Sequence, residues 1–324
     1  MTALAYEVAG SRGEPDPGPA GPTLLLVHAG IADRRMWDDQ VDPFAEAGWT
    51  VVRADLPGFG ETPPPAGPVA LWATLRDLLE RVGVDRAVVV GCSLGGRAAV
   101  DLALAAPERV RALVLVGSSL AGHRFQEPAL FELWDRSEGA LERGDHREAA
   151  RVEIDTWVAG LDRPPGAVDP EVRRRVTGML LTTYAHGEAD LEEPDPPAAG
   201  RLGEITAPTL VVVGEHDRPD IQPWPTPWPP ASPGPSGSSW TAPPTCPAWS
   251  GRASSTGSCS SSWPTSTGRP DAPGRGFSSA VALTGPSCRL FAKRPLPQRC
   301  RKEKKRRLRT ARSRMNRGRR LGLS

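Results

Sequence analysis

One segment constrains the fold more than any other. Residues 87–90 (Ala-Val-Val-Val) form a short continuous apolar run that leads without a spacer into Gly91-Cys92-Ser93-Leu94-Gly95. Residues 97–106 follow with helical composition and stop before Pro107. A run this short and this apolar reads as a strand buried on both faces. Joining it to a helix through so few residues demands a sharp turn, and the glycines stand where side chains would clash in it.

The rest of the front portion repeats the alternation. Residues 23–27 (TLLLV), 49–53 (WTVVR), 112–116 (ALVLV) and 209–213 (TLVVV) are further buried-strand candidates, and residues 72–82 have helical spacing. Strands alternating with helices predict an α/β fold with a doubly wound, mostly parallel sheet. Between residues 116 and 205 the strand signal vanishes. Residues 128–143, 147–158 and 170–184 carry apolar residues at helical spacing, which predicts a helical insertion between two strands. Such a layer covers the sheet, and as a lid it shapes a substrate pocket. The expected division is a core at 1–118, a lid at 119–200, the second part of the core at 201–223 and a tail at 224–324.

Composition breaks sharply at that last boundary. Up to Pro223 the chain has 21 Arg, no Lys and 36 acidic residues; from Trp224 it has 15 Arg and 4 Lys against Asp271 and Glu303 alone. Five of the ten Trp and four of the five Cys also lie in the tail. The front portion, with Cys92 alone, holds no disulfide framework. Cys246, Cys259, Cys288 and Cys300 are irregularly spaced with no histidine nearby, so no metal site is expected. No apolar run is long enough to span a bilayer, and the N-terminus lacks signal-peptide character, so a cytoplasmic location without membrane association is expected.

Four motifs carry the chemistry: Val27-His28-Ala29-Gly30 after an apolar strand, Asp55-Leu56-Pro57-Gly58-Phe59-Gly60, Gly91-Cys92-Ser93-Leu94-Gly95-Gly96, and Gly214-Glu215-His216-Asp217. In order and spacing over residues 1–223 they resemble the α/β-hydrolase fold superfamily. The helical insertion and Met36-Trp37 are similar to its enol-lactonase, esterase and haloperoxidase-like branch. The resemblance implies that Ser93 is the nucleophile on its elbow, attacking an ester or lactone carbonyl of a small-molecule substrate without metal or organic cofactor. It also implies that the N–H groups of Gly30 and Leu94 form the oxyanion hole and that Asp217 is the acid, with Asp220 the runner-up. His28 resembles the histidine that supports the oxyanion loop. Cys92 fills the variable elbow position as a small packed residue. C–C hydrolysis or cofactor-free perhydrolysis on the same fold stays open, as does a hydrolase-like binding protein without enzymatic activity.

The general base is the missing part. In this fold the chain order is Ser, acid, His, yet no histidine follows His216. His216 adjoins Asp217, and neighbouring side chains on an extended segment point apart. His123, His146 and His186 precede the acid and fall in the lid. The front portion, rich in Ala, Gly and Arg, indicates a gene of high G+C content. Back-translating residues 224–231 with such codons, and restoring one base in front, turns WPTPWPPA into MADALAAG. Continued, the restored frame yields an apolar run and then a histidine whose codon straddles those of Pro244 and Thr245, so Thr245 marks it 28 positions after Asp217. The expectation is therefore a one-base frameshift near residues 223 and 224. It implies a disordered tail, a missing final strand and helix, and an inactive polypeptide. The basic run from Arg301 to Arg320 is then an accidental polycation, and no designed nucleic-acid binding is expected of it. The sequence leaves the oligomeric state open.

Overall fold

A computed structural model describes residues 3–10, 21–160, 163, 167–214 and 217–221, together with the backbone of 278–283. All of these fall in one compact unit, Met1–Ala292. The sheet order is β1-β3-β2-β4-β5-β6-β7, built from β1 (Tyr6–Ala9), β2 (Thr23–Val27), β3 (Thr50–Ala54), β4 (Ala87–Cys92), β5 (Val110–Val116), β6 (Thr209–Gly214) and β7 (Ser278–Leu283). β1 runs antiparallel to β3, and every other pairing is parallel.

The two-residue period of the strands sorts their side chains into two cores. On one face Leu25, Val27, Val52, Val89, Leu113 and Leu115 pack with Leu75, Leu79, Ala98 and Leu102. Those partners come from α2 (Leu71–Arg81) and α3 (Leu94–Ala105). On the other face Leu24, Leu26 and Val51 pack with Met36 and Trp37, with Val41 and Phe44 of α1 (Asp38–Glu46) at the margin. Fully buried leucines such as Leu25 and Leu26 each contribute about 2 kcal/mol of transfer free energy.

The insertion between β5 and β6 is helical, as its spacing predicts. It comprises α4 (Pro128–Glu142), α5 (His146–Ile154) and α6 (Pro170–His186). Asp145 and Asp169 start the last two by accepting from the backbone N–H of Glu148 and Glu171. Past α5 the chain widens into a π turn, Asp155–Ala159, which carries Trp157. Leu130, Trp134, Ile154, Trp157, Met179 and Leu180 bury into the same cluster as Ala29, Ile31 and Cys92. The insertion is closed at its base, where the Ala199 N–H donates to the Ala121 carbonyl at 3.0 Å.

Two features depart from the sequence reading. β1 was not foreseen. The sheet edge beyond β6, expected to be bare for lack of a final strand, carries β7 from within the tail, paired from Thr209↔Ser278 to Gly214↔Leu283. An open strand edge is a row of unpaired N–H and C=O groups, and Ser-Ser-Ala-Val-Ala-Leu has the small and apolar residues to line up along it. The remainder of the tail, with the expected disorder and the missing final helix, lies outside the described residues. Among those described, no helix is long and apolar enough to cross a membrane.

Candidate active site

Ser93 stands at the tip of β4 with φ +51° and ψ −110°. It is the one non-glycine residue of positive φ among the described residues. L-residues avoid that region because Cβ crowds the neighbouring carbonyl. The turn persists because both flanks are over-determined. The Ser93 N–H donates to the Val116 carbonyl at 3.0 Å, and the Ser93 carbonyl accepts from Arg97 N–H at 2.9 Å as α3 begins. A Cβ on Gly91 would lie 2.4 Å from the Gly95 carbonyl oxygen, and one on Gly95 would lie 2.3 Å from that of Val27. Glycine is thus required by contact. Ser93 is wholly buried, and its Oγ has no hydrogen-bond partner among the described residues.

The two expected oxyanion donors are brought together. A Cβ on Gly30 would sit 3.5 Å from Leu94 Cδ2. Neither N–H has an acceptor among the described residues. His28 sets the Gly30 loop. Its Nε2 accepts from Leu56 N–H at 2.9 Å, so Nδ1 carries the proton and donates to the Ala29 carbonyl at 2.8 Å. Complete burial pushes the imidazolium below its ordinary range. A neutral ring with both nitrogens engaged is a brace, not a base. Asp33 completes the loop by accepting from Arg35 N–H at 3.0 Å.

Asp217 follows β6 in a closed turn. Its Oδ2 accepts from Gly214 N–H at 2.9 Å, and its own N–H donates to the Gly214 carbonyl at 3.0 Å. β4, β5 and β6 are consecutive in the sheet, with Cys92 opposite Val116 and Val116 opposite Val212. Ser93 and the Asp217 turn therefore share one rim, two strand spacings or roughly 10 Å apart. Asp220, the alternative acid, is engaged elsewhere. Its Oδ2 accepts from Gln126 N–H at 2.7 Å and Glu127 N–H at 2.9 Å, tying this loop to the start of α4.

The other histidines are placed as follows. His186 Nε2 is 2.8 Å from the Gly60 carbonyl, and the His146 ring meets Tyr184 edge-on at 5.8 Å. His123 meets Phe125 edge-on at 4.9 Å, with its Nε2 buried and unpartnered among the described residues. His216 lies outside the described residues, as does the frameshift region. Cys92 is buried against the lid, and no group of acidic, His or Cys side chains among the described residues is arranged to hold a metal.

One residue of this rim escaped sequence reading. Arg218 is buried, its Nη1 pairs with Glu127 Oε1, and its guanidinium lies 5.6 Å from the centroid of the Trp157 ring. The only signal in the sequence is its position, directly after Asp217.

A family model described as alpha/beta hydrolase fold matches residues 22–221. A 2-hydroxy-6-oxononadienedioate/2-hydroxy-6-oxononatrienedioate hydrolase of Paraburkholderia phymatum is 30% identical over 220 residues, covering 63% of this chain and 73% of the relative. A solved thermophilic esterase from Thermogutta terrifontis is 27% identical with a TM-score of 0.52, over 66% of this chain and 75% of that one. An enol-lactonase from Burkholderia xenovorans, 23% identical, shares the fold with a TM-score of 0.51 over 66% of this chain and 78% of its own.

Proposed function

Because the chain belongs to the α/β-hydrolase fold family, we propose that its site is that of a serine hydrolase acting on an ester, lactone or related acyl bond of a small molecule in the cytoplasm. The observation that carries this reading is Ser93, held at positive φ with a buried Oγ that has no partner among the described residues. Ser93 Oγ attacks the carbonyl carbon, its proton passes to a histidine, and the carbonyl oxygen becomes an oxyanion. The N–H groups of Gly30 and Leu94 receive that oxygen, each contributing about 3 kcal/mol of transition-state stabilisation. Asp217 orients the histidine and stabilises its charged form. Collapse of the tetrahedral species expels the leaving group, which takes the proton from the histidine, and leaves an acyl-Ser93 ester. Water then attacks that ester, giving up a proton to the histidine, which returns it to Ser93 Oγ as the acid is released.

The histidine belongs to the frame disrupted near residues 223 and 224. Two observations support this: the family match stops at residue 221, and no histidine follows His216. In a serine hydrolase, loss of the base costs on the order of 10⁶ in kcat, so this polypeptide has negligible turnover. A second reading, C–C bond hydrolysis, is favoured by the Paraburkholderia phymatum relative's name.

The test uses the full chain and a frame-restored chain, with p-nitrophenyl acetate and a fluorophosphonate as probes. The full chain should turn over no faster than its Ser93→Ala variant, while the frame-restored chain should label at Ser93. Turnover of the full chain that Ser93→Ala abolishes would refute the loss of the base. A restored chain that leaves Ser93 unlabelled would refute the hydrolase reading. An intact frame across codon 223 would remove the frameshift.

A further inference from the structure

The Asp55-Leu56-Pro57-Gly58-Phe59-Gly60 motif takes no part in the chemistry at Ser93, yet it backs the loop that carries Gly30. Asp55 is wholly buried; its Oδ1 accepts from Arg34 N–H at 2.7 Å and its Oδ2 from Glu61 N–H at 2.9 Å. At the other end of the loop Leu56 N–H holds His28, and the Phe59 ring meets the imidazole edge-on at 5.0 Å. Gly60, at φ +51°, lies so near Asp55 that a Cβ there would be 2.2 Å from Oδ2. The oxyanion loop is thus fastened at His28 and at Arg34 to residues 55–61.

The lid helix α6 reaches the same backing at two points. Near its start, Arg175 Nη2 donates to the Arg35 carbonyl and to Asp38 Oδ2, each at 2.9 Å. Arg35 sits in the short helical turn Arg34–Trp37. The core holds the neighbouring backbone groups of that turn: Arg34 N–H by Asp55, Arg35 N–H by Asp33, and the Arg34 carbonyl by Arg53 Nη1 at 3.3 Å. At the last residue of α6, His186 Nε2 lies 2.8 Å from the Gly60 carbonyl oxygen, which can only accept, so Nε2 donates. The two contacts lie about 16 Å apart along the helix. Between them Met179 and Leu180 bury in the cluster of Ala29, Ile31, Met36 and Trp37.

The three consecutive arginines of α6 divide their work. Arg173 pairs with Asp155 inside the lid and Arg174 with Glu171 in its own helix, while Arg175 crosses to the core. An exposed ion pair stabilises little by itself. A charge-assisted bond to a backbone carbonyl is directional and fixes the chain it lands on.

We infer that Arg175 and His186 are positioning residues: from the two ends of α6 they hold the backing of the oxyanion loop and keep the Gly30 N–H aligned with that of Leu94. The inference rests on the hydrolase reading and deepens it. Seating α6 and fixing the oxyanion hole are then one event. Donors that meet the developing oxyanion act on the transition state, so their misalignment lowers kcat and leaves KM in place.

Hydrogen exchange in the full chain reads the loop directly. Arg175→Met combined with His186→Ala should speed exchange about tenfold at the bonded amides of Ala32, Arg34, Arg35 and Glu61, with the amides of β4 and β5 unchanged. His186→Gln, whose side-chain N–H still reaches the Gly60 carbonyl, should keep the original rate at Glu61, and Arg174→Met should change nothing. In the frame-restored chain the double variant should lower kcat for p-nitrophenyl acetate about tenfold and leave KM within about twofold. Unchanged exchange in the loop, equal acceleration in β4 and β5, or a raised KM at constant kcat would overturn the inference while leaving the hydrolase reading in place. An unlabelled Ser93 in the frame-restored chain would remove that reading, and the exchange rates alone would then decide whether α6 holds the loop.

Discussion

Asp101→Asn should stabilise the protein at neutral pH and leave it unchanged in acid. Asp101 lies in α3, buried, with Oδ1 unpartnered among the described residues. Burial raises its pKa from 3.8 to about 6; Arg97 and Arg201 oppose the shift and Glu193 adds to it. Both cations are already paired, Arg97 with Glu193 at 3.1 Å and Arg201 with Glu204 at 2.7 Å. A gap of roughly two pKa units corresponds to about 3 kcal/mol. Between the two pKa values the folded state binds more protons than the unfolded state, so this group lowers stability as pH rises toward about 6. Above that the cost is complete; below about pH 4 the acid is neutral in both states and the cost is gone. Asparagine mimics the neutral acid at every pH. Urea unfolding of both proteins should therefore show a gain of about 3 kcal/mol for the variant near pH 8, shrinking to nothing below about pH 4. An equal gain at both pH values, or none near pH 8, would refute the assignment of the cost to a buried carboxylate.

Two further outcomes follow from contacts in the structure. Gly95→Ala places a methyl 2.3 Å from the Val27 carbonyl oxygen and 2.6 Å from that of His28. It should cost roughly 3 kcal/mol in urea unfolding, whereas Gly178→Ala, with nothing within 4 Å, should be neutral or stabilising by up to about 1 kcal/mol. Asp220→Ala removes the acceptor of the Gln126 and Glu127 N–H groups, so hydrogen exchange at those two amides should speed up, with a stability loss of about 2 kcal/mol.

The elements legible in the sequence are those whose chemistry repeats locally. β2, β4, β5 and β6 are continuous apolar runs because both faces of the sheet are covered, and the elbow is legible because sterics allow few residues in such a turn. β1 has no such signature: it is a four-residue edge strand whose side chains are largely exposed. α1 fully buries none of its residues and contains Pro43, so its helical composition is not clean. The tail strand β7 is hidden in a serine-rich stretch and is specified by the edge it pairs with. Arg218 was illegible for another reason. An arginine after a turn reads as solvated, and only the arrival of Glu127 and Trp157 from the lid makes it a buried cation. The contacts of Asp220 likewise depend on backbone groups more than 90 positions away.

The bond between Ala199 and Ala121 makes the lid a module whose two ends meet. Loop closure becomes only about 0.6 kcal/mol harder with each doubling of length, so such an insert can be lengthened, shortened or exchanged while the sheet beneath it stays as it is. Glu127 and Trp157 would leave with the exchanged piece. Arg218, rooted after β6, would remain, and any successor lid would inherit a cation that it must pair, solvate or put to use.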